Sequence, residues 1–275
     1  MDPEKELEEY FLRTWTVQSG LPLNTITALI QTQDGYIWIG THAGLARFDG
    51  VRFTTFTKQD SLLTNDRITS LYEDSNKVLW IGTDGGGLYS CEKGLWKKFT
   101  MKDGLSNAHV RTIIGDWKGD LWVGTDYGLN RISRDSIHIY TEGDGLYDNI
   151  ITDLCLDNWG TLWIGTLRGG LARFNEGVIA VYGYEAGLLN SSVQSLAADR
   201  WGSIWIGTLE GLYFLRSGDG IIRPVFDTHY TPFTSLVEDS RGRLWMGTMA
   251  DGLKRMTGDT LTSLSIDEGL PDDFI

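Results

Sequence analysis

The chain has 275 residues with ordinary apolar content (41%), eleven Trp, thirty-four Gly and only five Pro, a balance that excludes a disordered polypeptide and points to many tight turns around large anchors. Its net charge of −13 opposes a phosphate backbone and disfavours nucleic acid as a partner. No apolar run approaches the ~18 residues of a membrane helix, and the opening Met1-Asp2-Pro3-Glu4-Lys5-Glu6-Leu7-Glu8-Glu9 has no apolar core of a signal peptide.

Residues 1–9 read as a charged tail, and 10–275 as one repetitive domain. Tyr10–Val17 reads as a lone fourth strand, leading through Gly20-Leu21-Pro22 into the first repeat. Each repeat centres on Trp-(Ile/Val/Met)-Gly-Thr, with Trp at 38, 80, 122, 163, 205 and 245, so that successive spacings are 42, 42, 41, 42 and 40. Four short strands are predicted per unit. The first resembles Ile26–Ile30 or Val193–Leu196. A turn such as Asp116-Trp117-Lys118-Gly119 or Asp157-Asn158-Trp159-Gly160 follows, where Asp bonds the backbone two residues on and Gly takes positive φ. The second strand holds the Trp motif, its Gly expected to lie under a neighbouring Trp. A hairpin ending in Gly-Leu (44–45, 87–88, 128–129, 170–171, 211–212, 252–253) opens the third strand, and the fourth is aromatic, as in Phe53–Phe56 or Ile137–Tyr140.

Further Gly-Leu pairs at 104–105, 145–146 and 187–188 mark re-entry into the next unit. In the second unit Asn76-Lys77 replaces the turn Gly, with Asn76 expected to supply positive φ. Thr228-His229-Tyr230-Thr231-Pro232 replaces the last re-entry and predicts a differently shaped loop. Gly269–Ile275 reads as the start of a seventh unit. Four strands per ~40 residues is the arithmetic of a β-propeller. The expectation is an all-β propeller of four-stranded antiparallel blades, with six complete repeats and an incomplete seventh blade that an N-terminal strand would share. On that reading the chain is a fragment.

The series Asp-x-x-Gly-x-(Leu/Ile)-Trp-(Ile/Val/Met)-Gly-Thr, then Gly-Leu, then an aromatic strand, resembles the two-component regulator propeller repeat. Arg13-Thr14-Trp15-Thr16-Val17-Gln18-Ser19-Gly20-Leu21-Pro22 is similar to the usual lead-in to such repeats. WD-type and kelch-type repeats match less well. The resemblance implies the ligand-sensing module of a bacterial receptor of the hybrid histidine kinase type, without its output domains. Such modules are periplasmic, often in saccharide-responsive systems, and the partners would be a polar or oligosaccharide ligand and the signalling domains of a longer parent. A complete chain with no signal peptide would instead be cytoplasmic.

Repeated Trp, Gly and Leu positions serve packing in every blade, so function is sought where blades differ. The hairpins between Thr and Gly-Leu carry His42, Asp84, Asp126, Tyr127, Arg168, Glu210 and Asp251. Arg67, His109 and Arg111 stand near the starts of first strands and add donors. Planar donors and acceptors beside an aromatic ring suit a polar, saccharide-type ligand. Four scattered His and two Cys (Cys91 and Cys155) show no metal-ligand spacing, so neither a metal nor a cofactor is expected, and the cysteines read as small, unpaired thiols. Asp84-Gly85-Gly86-Gly87 lacks the helix a phosphate loop needs. A non-catalytic module is the first reading. The alternatives are a propeller lyase or hydrolase using His42 or His109, and a structural scaffold.

Overall fold

The computed structural model describes residues 13–60, 62–134, 136–258 and 260–275. Its described residues form six four-stranded antiparallel sheets, each in sequential order. The first comprises β1 (Ile26–Gln31), β2 (Ile37–Thr41), β3 (Gly44–Phe48) and β4 (Phe53–Phe56). The same arrangement recurs as β5–β8 within residues 68–99, β9–β12 within 110–140, β13–β16 within 151–182, β17–β20 within 193–224 and β21–β24 within 233–264. The chain divides into two compact units. One holds residues 15–144 and 148–151, and the other holds 145–147 and 152–275 with 13–14.

The conserved-looking letters of the repeat each have a local task. Asp116 shows the turn: its Oδ1 accepts the backbone N–H groups of Lys118 (2.9 Å) and Asp120 (3.0 Å), while Oδ2 accepts the indole N–H of Trp122 at 2.9 Å. The same indole-to-carboxylate bond joins Trp80 to Asp74 (3.0 Å), Trp163 to Asp157 (3.1 Å) and Trp245 to Asp239 (2.9 Å). One carboxylate thus closes the hairpin and satisfies a core indole, which explains why Asp precedes Trp by six residues. In the second blade the left-handed residue of this turn is Lys77 (φ 64°), not Asn76. Asp74 still accepts from Asn76 and Val78, at 2.9 Å each, and that geometry fixes which residue turns left.

The motif Thr closes the other hairpin. In all six blades its buried hydroxyl donates to the carbonyl of the Gly opening the third strand, as Thr41 does to Gly44 (2.8 Å) and Thr166 to Gly170 (2.8 Å). The motif Gly has a packing reason, but its neighbour is not a Trp. A Cβ on Gly40 would lie 2.7 Å from Ile68 Cγ2, one on Gly124 2.6 Å from Ile151 Cγ2, and one on Gly165 2.7 Å from Val193 Cγ1. These are β-branched residues that open the next blade's first strand. Branching at Cβ lets them fill the space where the preceding blade has no side chain.

Blade connections share a single 3-10 turn. Thr57, Thr100 and Thr141 each cap it, the hydroxyl accepting a backbone N–H and the backbone N–H donating to an acid three residues on, as Thr100 does to Asp103 (2.8 Å), whereas Gly183 caps its turn without a side-chain bond. A left-handed Gly ends the turn, and the following Leu (Leu105, Leu146, Leu188) is almost fully buried. The loop at Thr228–Pro232 departs from this pattern, as expected, with Asp227 and Tyr230 in the left-handed region.

No seventh sheet forms among the described residues, so the expected partial blade is not shown. The candidate N-terminal strand becomes an irregular stretch followed by a 3-10 turn at Val17–Ser19, because Thr16 and Ser19 make the same reciprocal cap. Tyr10–Leu12 lie outside the described residues. At the other end Ser265 and Glu268 cap the turn Ile266–Glu268, and residues 269–275 form no strand. They lie along the last blade, where Ile275 N–H donates to the Thr248 carbonyl at 2.9 Å.

The core is a series of inter-blade clusters. Leu63, Ile68 and Tyr89 of the second blade pack with Trp38 and Leu45 of the first, and Leu196, Ile206 and Tyr213 pack with Trp163 and Leu171. Hydrogen bonds add register: Thr27 Oγ1 donates to the Ile68 carbonyl (2.7 Å) and Thr69 Oγ1 to that of Val110 (2.6 Å).

Candidate functional site

The hairpins between second and third strands share an end of their sheets with the blade connections, because backbone bonds tie them together. Gly85 and Gly87 N–H groups donate to the Ala108 carbonyl (3.2 and 2.9 Å), Gly128 to Asn149 (2.7 Å), Gly170 to Ser191 (3.1 Å) and Gly252 to Asp273 (3.0 Å). An Asx turn prepares the connections at 65, 107, 148 and 190. Asn65 Oδ1 accepts Arg67 N–H and Asn107 Oδ1 accepts His109 N–H, both at 2.8 Å, which aims the two side chains at the hairpin tip.

Between the second and third blades this places three candidate residues in contact. Arg67 Nε lies 2.8 Å from Asp84 Oδ2, and His109 Nδ1 lies 2.5 Å from Asp84 Oδ1. Asn65 Nδ2 donates to the Asp84 carbonyl at 2.7 Å, and a backbone bridge pairs Asp84 with His109. Asp126 N–H donates to the His109 carbonyl (3.1 Å), and the Asp126 carboxylate pairs with Arg111. Arg67, Asp84, His109, Arg111 and Asp126 therefore form one continuous polar strip on adjacent blades. Side chains remain half-open to solvent, His109 at 50% and Arg111 at 40%. The His109 hydrogen bond, aided by the Arg67 charge, holds the Asp84 carboxyl below its usual range despite partial burial. Tyr127 is exposed on the Asp126 hairpin, its backbone N–H held by Thr125 Oγ1 at 3.0 Å.

Other candidates stand apart from this strip. His42 is exposed on the first hairpin and makes no hydrogen bond or ion pair among the described residues. Arg168, Glu210 and Asp251 occupy exposed hairpin tips of the other unit. Glu210 offers its backbone carbonyl to Tyr230 (3.0 Å), and Asp251 accepts Thr231 Oγ1 at 3.3 Å with Lys254 at 3.8 Å. Asn65 and Asn107 were not singled out by the sequence, although an Asn or Asp recurs before the first strand at 65, 107, 148, 190 and 272. That periodicity was the available signal. No group of three metal-type ligands forms among the described residues. Cys155 is buried, and burial, with nearby Asp153, pushes its thiol up to about 12, so it is inert as a nucleophile.

A family model described as the two-component regulator propeller matches residues 20–43, 62–85, 146–168, 187–210 and 229–250. The chain belongs to the two-component regulator propeller family. The third repeat, around Trp122, falls outside the matched segments yet forms the same sheet and carries Arg111 and Asp126. Among solved structures, the chain is similar to the extracellular domain of the hybrid two-component system BT3049 from Bacteroides thetaiotaomicron. The identity is 22% and the TM-score 0.83, over 95% of this chain and 38% of that one. The extracellular domain of the one-component system BT4673 from the same organism matches at 25% identity and TM-score 0.77, over 91% and 35%. Virginiamycin B lyase from Staphylococcus aureus shares the fold alone, at 15% identity and TM-score 0.72, over 87% and 83%. The chain thus spans little more than a third of the two extracellular domains it matches. No curated protein matches it.

Proposed function

We propose that this chain is a ligand-sensing propeller of a bacterial two-component-type receptor, placed outside the cytoplasmic membrane, that binds a polar ligand of the saccharide class. The observation that carries the ligand reading is the strip Arg67–Asp84–His109 with Arg111–Asp126. Its charges are mutually satisfied, half-exposed and held by Asx turns, so planar donors and acceptors are oriented before a ligand arrives. Tyr127, exposed on the adjoining hairpin, offers a ring for stacking. Kinship with extracellular sensor domains supports the signalling role and the location. No helix among the described residues is long and apolar enough to cross a membrane. In this reading the membrane anchor and output domains are those of a longer receptor. The test is a thermal-shift and calorimetric screen of neutral mono- and oligosaccharides. Binding should raise the melting temperature by linkage, and Asp84→Ala or Arg111→Ala should abolish the shift.

A second reading rests on the 2.5 Å contact between His109 Nδ1 and Asp84, the pairing that orients an acid–base imidazole. A propeller lyase or hydrolase would convert a member of the same panel, and His109→Ala would stop product formation while leaving the fold intact.

A further inference from the structure

At the opposite end of the sheets, beside the turns that carry the structural Asp, lies a groove of about 340 Å³ between the fourth and fifth blades. Its walls come from the turn Asp157–Thr161, from the strands β14 (Leu162–Thr166), β15 (Leu171–Asn175) and β16 (Val178–Tyr182), and from the hairpin tip 216–220 of the next blade. That volume is at the lower end of the range for small-molecule sites. Every lining residue belongs to one compact unit.

Three features define this groove. Trp159 is 63% exposed although its six-membered ring lies directly on Gly202 of the next blade. Gly202 has φ 77°, and any Cβ there would collide with the indole, so the ring is seated in a fixed place with its other face in water. Trp163 and Tyr182, whose rings lie 5.6 Å apart and tilted by 49°, extend the aromatic lining.

The second feature is charge. Arg173 stands opposite Trp163 in the strand register, as Arg131 stands opposite Trp122 in the third blade. Arg131 is held by Asp120. The fourth blade has Thr161 at the position of Asp120, so Arg173 has lost that counter-charge. Arg216 enters from the hairpin tip. Among the described residues neither guanidinium makes an ion pair or hydrogen bond.

Third, the acids in the groove are already engaged. Asp157 accepts the N–H groups of Trp159 and Thr161 and the Trp163 indole, and Asp219 pairs with Arg223. In a chain of net charge −13, two unpaired guanidinia beside a fixed aromatic face form a local anion site.

We propose that this groove binds an acidic sugar of the uronate class, the pyranose ring stacked on Trp159 and its carboxylate held by Arg173 and Arg216. Stacking uses the apolar face of the ring, and the guanidinium forks match a carboxylate bidentately. The proposal concerns residues distinct from the hairpin strip and stands without it.

Calorimetric titration of the intact chain with D-glucuronate tests it, with glucose as the uncharged ring and acetate as the carboxylate alone. Glucuronate should bind at one site with a Kd of about 1 mM or tighter. Glucose and acetate should each bind at least tenfold more weakly, and added salt should weaken the glucuronate complex. Arg216→Ala and Arg173→Ala should each weaken binding at least tenfold with an unchanged circular dichroism spectrum, and Trp159→Ala should do the same. His109→Ala should leave it intact, which separates this site from the hairpin strip. Absence of glucuronate binding would overturn the proposal, as would equal affinity for glucose or acetate. Undiminished binding by a folded Arg216→Ala protein would do so too. Should Trp159→Ala fail to fold, Arg216 on the exposed tip decides the matter.

Discussion

The Asp that opens the hairpin between first and second strands is the busiest side chain in the repeat. Its two oxygens are divided between the turn backbone and a core indole, so its removal costs more than one bond. Asp116→Ala leaves the Trp122 indole N–H without this partner while Trp122 itself is only 3% exposed. Charge-assisted hydrogen bonds contribute ~1.5–3 kcal/mol each, and a loss of about 3 kcal/mol is expected in urea unfolding. Asp239 adds a pH signature. Burial pushes its carboxyl up, but bonds from the Trp245 indole and from Arg243 outweigh this and hold it well below the usual range. The stability it contributes is therefore complete above the unfolded value of ~3.9 and is lost as pH falls through the folded one. The destabilisation caused by Asp239→Asn should shrink between pH 7 and pH 3. Lys77 offers the opposite change. A non-Gly residue at φ 64° is strained, so Lys77→Gly should raise stability by ~0.5–1 kcal/mol in the same assay.

At the scale of the strand and hairpin, the Gly in Trp-x-Gly-Thr is set by the next blade. Its backbone does not require positive φ at position 124, so the constraint is steric: Ile151 and Thr112 each approach to 2.6 Å of a built Cβ. Gly124→Ala should cost ~1–3 kcal/mol by overpacking, read as a lowered melting temperature. The four strands of each blade were legible because Asp, Trp, Thr and Gly-Leu recur at fixed offsets, and each has a local bond or packing role behind it. Two elements misled. Arg13-Thr14-Trp15-Thr16 reads as a strand by composition, yet the reciprocal bonds of Thr16 and Ser19 close a turn instead. The neighbour of the motif Gly was also misjudged, because a contact to the following blade is a tertiary fact that one repeat does not contain.

For the whole molecule, blade count and family could be read from periodicity, whereas a ligand site could not, since it depends on where blades differ. Sequence alone gathered ten candidates from six hairpins and two strand starts. The structure joins five of them because an Asx turn at Asn107 swings His109 back onto Asp84 while Arg111 reaches Asp126. His42 has no such partner strand of charges beside it, and Glu210 and Asp251 keep local contacts. The aromatic groove escaped sequence reading for a related reason: Trp159 resembles Trp117 and Trp201 in its turn, and only the exchange of Asp120 for Thr161 releases Arg173. The central claim is that the chain senses a polar ligand through the Asp84 strip. The most direct measurement is the thermal-shift screen of neutral saccharides on the wild-type and Asp84→Ala proteins. At least one sugar should raise the melting point of the wild type alone, and a shift that persists unchanged in Asp84→Ala, or no shift with any sugar, would contradict the account.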